Sequence, residues 1–219
     1  MGLIAIGDIH GCAATLEVLL DRLAPTPDDH LLFVGDYIDR GPDSKDVIDQ
    51  LLALQHDVPC TFLRGNHEAM MIDYLDAGAF NLWQMNGGVS TLQSYAGGGG
   101  GEFHIPDPHA NFVRNTKLYH ETDDFFFVHA GLKAHLSIEE NLSEGDEEVF
   151  LWERGHLEAD AVAWEKPVVC GHTPQPEPIT REKLLNIDTG CVYHTRPGMG
   201  RLAAVRLPDR EFVFADYVG

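Results

Sequence analysis

Positive charge is what this chain has least of. Its 219 residues carry 15 Lys and Arg against 35 Asp and Glu, a formal net charge of −20 at pH 7. Such a surface repels the nucleic-acid backbone, because binding there relies on Lys and Arg displacing counterions. Anionic membranes are disfavoured for the same reason, so neither nucleic-acid coating nor a membrane role is expected. Cysteine is scarce as well: Cys12, Cys60, Cys170 and Cys191 lie far apart with no CxxC pair. That argues against a thiolate metal site and for reduced, mostly buried thiols in a cytoplasmic protein. No apolar run approaches the roughly 20 residues that span a bilayer. The first one, Leu3-Ile4-Ala5-Ile6, is short, lacks a basic flank and runs straight into Gly7-Asp8, unlike a signal peptide.

What is present is a core-forming pattern with regular punctuation. Hydrophobic residues make up 44% of the chain, enough for one sizeable core, and no linker or internal repeat forces a second domain. The expectation is a single domain over 1–219. Residues 3–6, 31–34 and 60–63 read as buried strands. Between them, Leu16, Leu19, Leu20 and Leu23 share a face of a helix over 13–23. Val47, Ile48, Leu51 and Leu52 mark a second helix, with Asp43 or Ser44 as its cap. Strands alternating with helices predict an α/β layered fold with parallel pairing. The stretch 67–116 reads as helical before losing order around five consecutive glycines, Gly97 to Gly101. A glycine run can cradle phosphate, but only between a strand and a helix. Here it reads better as a mobile surface loop, a candidate flap. Further strands are predicted at 125–128, 168–170, 184–187, 202–207 and 212–215, the last two joined by a turn at Pro208-Asp209-Arg210. The architecture expected is two mixed sheets packed face to face with helices outside.

The chemistry gathers at the strand ends. Gly7-Asp8-Ile9-His10-Gly11, Gly35-Asp36-Tyr37-Ile38-Asp39-Arg40-Gly41 and Gly65-Asn66-His67-Glu68 each set a small residue at a sharp turn before oxygen or imidazole donors. His129, after Phe127-Val128, and His172, after Cys170-Gly171, follow two later strands. Ligands of α/β sheets collect beyond the carboxyl ends of strands, so these loops can converge. A set of Asp8, His10, Asp36, Asn66, His129 and His172 mixes hard oxygen with imidazole nitrogen. That suits divalent Mn, Fe or Zn better than a thiolate or all-oxygen site would. One such histidine alone is more often a satisfied polar residue, but five matching loops make coincidence a poor account.

Together these motifs resemble the phosphoprotein phosphatase family within the calcineurin-like metallophosphoesterases. GDIHG, GDYIDRG and RGNHE carry the resemblance, with HAG and GH at the spacing the family would use, and Gly-His-Thr-Pro looks like its small bacterial and phage-type members. The resemblance implies a four-layer α/β/β/α sandwich and two divalent ions, Mn first, with Fe or Zn the alternatives. It implies that Asp8 and His10 hold the first ion, that Asp36 bridges both, and that Asn66, His129 and His172 complete the second. A bridging hydroxide would then attack phosphorus. His67 would protonate the leaving oxygen, with Asp39 orienting it; the alternative for Asp39 is a turn cap before Arg40-Gly41-Pro42.

Arg40 matches the family's phosphate-binding arginine, whose planar fork can hold two oxygens at once. Arg154 is the only arginine between His129 and His172 and the candidate for a second. The alternative is a surface residue paired with Glu153 or Glu158. Arg64 reads equally as a phosphate contact or a structural ion pair, and Glu68 as support for the loop. Cys12 reads as a small packing residue, with a redox-sensitive thiol as the alternative. The implied activity is phosphomonoester hydrolysis, first as a serine/threonine protein phosphatase acting on phosphoproteins or phosphopeptides. A symmetrical bis(5'-nucleosyl)-tetraphosphatase is the runner-up, disfavoured by Asp39 and Glu68. A non-catalytic metal-binding scaffold is a third reading, opposed by the presence of both His67 and Asp39.

Overall fold

The computed structural model describes residues 2–96 and 104–219. The Gly97 to Gly101 run, expected as a flap, lies outside them. In chain order the elements are β1 (Leu3–Ile6), α1 (Ala13–Leu23), β2 (His30–Phe33), α2 (Ser44–Leu54), β3 (Cys60–Phe62), α3 (Asn66–Ala77), α4 (Phe80–Met85), α5 (Gly88–Tyr95) and α6 (Asp107–Arg114). They continue with β4 (Tyr119–Glu121), β5 (Phe126–Val128), α7 (Ile138–Glu144), α8 (Glu147–Trp152), β6 (Val168–Cys170), β7 (Ile179–Arg181), β8 (Leu184–Asn186), β9 (Arg201–Leu207) and β10 (Glu211–Asp216).

Two five-stranded mixed sheets form, in the orders β10-β9-β1-β2-β3 and β4-β5-β6-β8-β7. The parallel side of the first, β1-β2-β3, carries the first three motif loops at its carboxyl ends. The parallel centre of the second, β5-β6-β8, carries the histidine loops.

Strand alternation explains why two sheets stack here. Successive side chains point to opposite faces, so Ala5, Leu32 and Val205 point inward and meet Phe127, Val169 and Leu185 across the inter-sheet core. Their neighbours Ile4, Ile6, Leu31 and Phe33 point outward and are covered by α1 and α2 through Leu16, Leu19, Val47 and Ile48. On the far side Phe126, Val128, Val168 and Leu184 pack against Leu132, Ile138, Phe150 and Trp164. The inner strands β1, β2, β5, β6 and β8 are therefore apolar on both faces, which is what helix-sheet-sheet-helix layering requires. Burying one such Phe, Leu or Ile contributes about 1.5–3 kcal/mol.

Two local expectations are corrected. Asp43 occupies the position before α2, but its side chain makes no cap bond. Ser44 does not cap either; its hydroxyl accepts the Asp39 N–H at 3.0 Å and so serves the neighbouring loop. Order also returns within 67–116, where Asp107–Arg114 is helical. Pro108 sits in its first turn, where a missing N–H leaves no intrahelical bond unmade.

Candidate metal centre

The strand-end loops converge, and they do so through unusual backbone geometry. Seven described non-glycine residues have positive φ, and five of them are His10, Asp36, Asp39, Arg40 and His172. Left-handed backbone costs such residues of the order of 1–3 kcal/mol each when the surroundings must enforce it. The surroundings here do. The Asp36 carbonyl accepts N–H bonds from both Ile9 (3.0 Å) and His10 (2.9 Å), locking the first loop to the second. Glu68, at the start of α3, accepts from Asp36 N (2.8 Å) and Gly65 N (2.9 Å) on one oxygen and from Tyr37 N (2.9 Å) on the other. Glu68 thus fastens the second loop to the third, in the supporting place expected of it.

Asp36 lies between two buried groups of donors. Its Oδ2 is 3.4 Å from His10 Nε2 and 3.9 Å from His67 Nε2. Its Oδ1 is 3.4 Å from His129 Nε2. Among the described residues two clusters of metal-ligand type emerge, His10-Asp36-His67 and Asp36-His129-His172, and Asp36 is common to both. Asn66 joins the second, its Oδ1 3.0 Å from His129 Nε2 and 2.9 Å from His172 Nδ1. Asp8 stands apart from both clusters as a donor but is tied in: its Oδ2 accepts the His172 N–H at 2.9 Å. Gly171 has to be glycine, because a Cβ there would strike Asp8 Oδ1.

This donor set fits divalent cations. His129 donates Nδ1 to the Val34 carbonyl and His10 donates Nδ1 to that of Ile38, both at 2.9 Å. Each therefore turns an Nε2 lone pair into the site, because the carbonyl holds the proton on Nδ1 and fixes the ligating tautomer. His129 Nε2 then faces the Asn66 and Asp36 oxygens, acceptor against acceptor, and a cation satisfies all three. Burial lowers the imidazoles of His10 and His129. His172 is pushed to about 2, by burial first and then by His129, with the Arg154 charge adding to it. Neutral imidazoles are the form that binds metal. Burial alone pushes the Asp36 carboxyl up, and only positive charge beside it, from protonated His129, His67, His10 or His172 or from a cation that takes their place, pulls it down.

Beside the clusters stands a hydrogen-bonded pair. His67 is fully buried and donates Nδ1 to Asp39 Oδ2 at 2.6 Å, leaving Nε2 buried with no partner and turned toward Asp36. Asp39 is held by residues to which the sequence assigned nothing. The indole N–H of Trp83 reaches its Oδ2 at 2.8 Å, and the Thr91 hydroxyl reaches its Oδ1 at 2.6 Å. The Asp39 carboxylate thus orients His67 and is not free to act as a turn cap.

The arginines divide. Arg40 Nη1 donates to His10 Nε2 at 2.5 Å, and its guanidinium stands 5.6 Å from the Tyr193 ring centre. Arg154 is exposed and close enough to His172 to bear on its charge. Among the described residues its guanidinium makes no ion pair; Glu153, a candidate partner, gives an oxygen to the Gly155 N–H instead. Arg64 is tethered to Thr116 Oγ1 and to the Arg114 and Thr116 carbonyls, a structural role. Cys12 is buried, and contact with Cys191 together with burial raises its thiol, which suits packing over redox reactivity.

The profile of the calcineurin-like phosphoesterase family matches residues 1–204. The chain belongs to that family. Among relatives of this calcineurin-like phosphoesterase is bis(5'-nucleosyl)-tetraphosphatase PrpE [asymmetrical] of Oceanobacillus iheyensis, 27% identical over 95% of this chain and 89% of its own length. Serine/threonine-protein phosphatase 1 of Salmonella typhimurium is 30% identical over 90% of each chain. In fold, the chain matches a cold-active protein-tyrosine phosphatase of Shewanella with a TM-score of 0.65 at 16% identity, covering 99% of this chain and 78% of that one. The enzyme class is therefore metallophosphoesterase. Among the described residues no helix is long and apolar enough to cross a membrane.

Proposed function

We propose that this metallophosphoesterase, acting as one domain over 1–219, hydrolyses phosphomonoesters at a binuclear centre and acts on phosphoserine or phosphothreonine in proteins. The observation that carries the binuclear reading is Asp36, whose two oxygens face two different clusters. Asp8, His10 and Asp36 would hold one ion, and Asp36, Asn66, His129 and His172 the other. Two bound divalent ions, Mn first with Fe or Zn as alternatives, would neutralise phosphate charge and acidify water. Arg40 and Arg154 supply N–H forks to the phosphate oxygens. His67 Nε2 carries a proton toward the leaving oxygen. Asp39 fixes the ring that does so and stabilises its charged form.

The surroundings of Asn66 favour a peptide. A cavity of about 520 Å³ adjoins it, with Met70, Leu82 and Trp152 as apolar walls and Asp73, Glu147 and Glu148 supplying negative charge that exceeds the single positive charge of Arg64. Such a wall attracts a basic residue flanking the phosphorylated one and repels additional phosphates. A second reading, dinucleoside tetraphosphate hydrolysis, is favoured by relatives that span most of the chain and carry that name. Those names specify asymmetrical cleavage, whereas the symmetrical kind was the alternative anticipated from sequence.

The test is kcat/KM for phosphoserine peptides with basic or neutral flanks and for diadenosine tetraphosphate, with Mn²⁺ at low and high salt. Basic peptides are expected to lead at low salt, with the gap narrowing as salt screens the field. A tenfold or greater advantage for the tetraphosphate at low salt overturns the protein-phosphatase reading.

A further inference from the structure

Asp188, two residues beyond β8, has no assigned part in the site, yet it is only 4% exposed. Its placement is tightly fixed. Asp188 N donates to Asn186 Oδ1 (3.0 Å), its carbonyl accepts from Gln175 N (3.0 Å), and its Oδ1 accepts from Gly190 N (2.8 Å). The residues just before Asp8 and Asp188 touch: a Cβ on Gly7 would lie 2.5 Å from the Ile187 carbonyl oxygen. Both aspartates that follow are buried. After burial itself, Asp188 is the strongest influence raising the Asp8 carboxyl.

Neither carboxylate is compensated. Asp8 is 2% exposed, and its Oδ1 has no hydrogen-bond partner. Among the described residues no Lys, Arg or His pairs with either Asp8 or Asp188. Arg40 is the cation that both feel, but it forms an ion pair with neither. Two like charges out of water destabilise a fold unless a cation or a proton sits between them. The unpartnered Asp8 oxygen marks this as the place for a cation.

We propose that Asp188 is a further metal-holding residue, giving its second carboxylate oxygen to the divalent ion on the Asp8–His10 side. This rests on the binuclear reading above. It gives that ion an additional anionic oxygen, so that side becomes the more oxygen-rich of the two. Oxygen-rich sites suit Mn²⁺ better than softer, imidazole-rich ones do.

The experiment is calorimetric titration of the chelator-stripped full chain with Mn²⁺, alongside melting curves with and without Mn²⁺, for wild type, Asp188→Asn and Asp8→Asn. Wild type is expected to bind two ions. Asp188→Asn should weaken one of them at least tenfold, leave the other unchanged, and weaken the same site as Asp8→Asn. With saturating Mn²⁺ its rise in Tm should be smaller than that of wild type. Two sites of unchanged affinity in Asp188→Asn overturn the proposal and leave the binuclear reading standing. Fewer than two ions in wild type sink the binuclear reading itself. Should Asp188→Asn fail to fold, Asp188→Glu displaces the charge by one methylene: weakening of the same site supports the assignment, and unchanged affinity overturns it.

Discussion

Replacing His67 by Asn separates proton delivery from metal binding. The ring's Nδ1 is engaged by Asp39 at 2.6 Å, so Nε2, buried and unpartnered, is the nitrogen free to serve a leaving oxygen. General acid catalysis of this kind is worth ~10²–10⁴-fold, which is about 2.7–5.4 kcal/mol of barrier. An alkoxide leaving from phosphoserine needs that proton, whereas an activated aryl oxide leaves without it. The expected loss in kcat for His67→Asn is therefore ~10²–10⁴ on a phosphoserine peptide and less than about tenfold on an activated aryl phosphate. Metal content should not change. The contact that ties position 67 to Asp36 Oδ1 is its backbone N–H, at 3.2 Å, and it survives the substitution.

Trp83→Phe gives a graded companion. It removes one of the two side-chain donors that hold Asp39 besides His67, and leaves the Thr91 hydroxyl in place. A hydrogen bond to a charged group contributes about 1.5–3 kcal/mol, so kcat on the peptide should fall roughly tenfold or somewhat more while His67 keeps its nitrogen. Steady-state rates on both substrates, with metal analysis of each variant, decide the matter. Equal losses on the two substrates in His67→Asn would refute proton delivery. So would loss of an ion, since His67 would then be acting as a ligand.

The other predictions follow from the same geometry. Asp36→Asn should lose at least one of the two ions and nearly all turnover, read by metal analysis; two ions retained at full affinity would break the bridging assignment. Arg40→Ala and Arg154→Ala should each raise KM and lower kcat, because both remove a charge-assisted bond to an anion whose charge shifts during reaction. Arg154→Ala with unchanged kinetics would return that residue to the surface. His156 is held at about 4, by burial first and then by the Arg181 charge, below an ordinary value near 6.5. Its folded-state pKa is depressed, so its contribution to stability is present above pH 6.5 and is lost as pH falls toward 4, at about 1.4 kcal/mol per unit and roughly 3 kcal/mol in all. Denaturant titrations across that range should show His156→Phe losing less stability than wild type by about that amount; parallel curves would contradict it.

Much of the centre could be read from sequence because each loop compresses its chemistry into a few residues. Asp8, His10, Asp36, Asn66, His129 and His172 all follow apolar strands whose both-faced burial also identifies the layers. The parts that could not be read depend on contacts distant in sequence. Trp83 and Thr91 reach Asp39 from helices 44 and 52 residues away, and nothing local marks either one. Asp188, before Thr189-Gly190, has the appearance of an ordinary turn residue. β4 and β7 are three-residue edge strands, largely exposed and polar, with too few apolar positions to show alternation. α7 did carry a legible signal, since Ser137 and Glu140 form a capping box. The acidic run that follows reads more readily as solvated surface.

The centre concentrates costs that the rest of the fold must offset. Five left-handed residues, histidines kept neutral by burial and an uncompensated pair of carboxylates occupy one small volume. Each is unfavourable without a cation, and two divalent ions relieve the charge component of all of them together. Folding and metal binding should then be strongly coupled, because a ligand that binds only the folded state stabilises it by RT ln(1 + [L]/Kd). The coupling also explains how so acidic a chain can attract phosphates. On the proposed binuclear reading, four positive charges from the ions, together with Arg40 and Arg154, would reverse the local sign against a background of −20. Attraction at the centre and repulsion from the surrounding surface act over different distances. A substrate with one phosphate and basic flanks would gain from both, whereas a polyphosphate would gain from the first alone, so on the proposed reading discrimination would fall to the wall where Asp73, Glu147 and Glu148 outnumber Arg64.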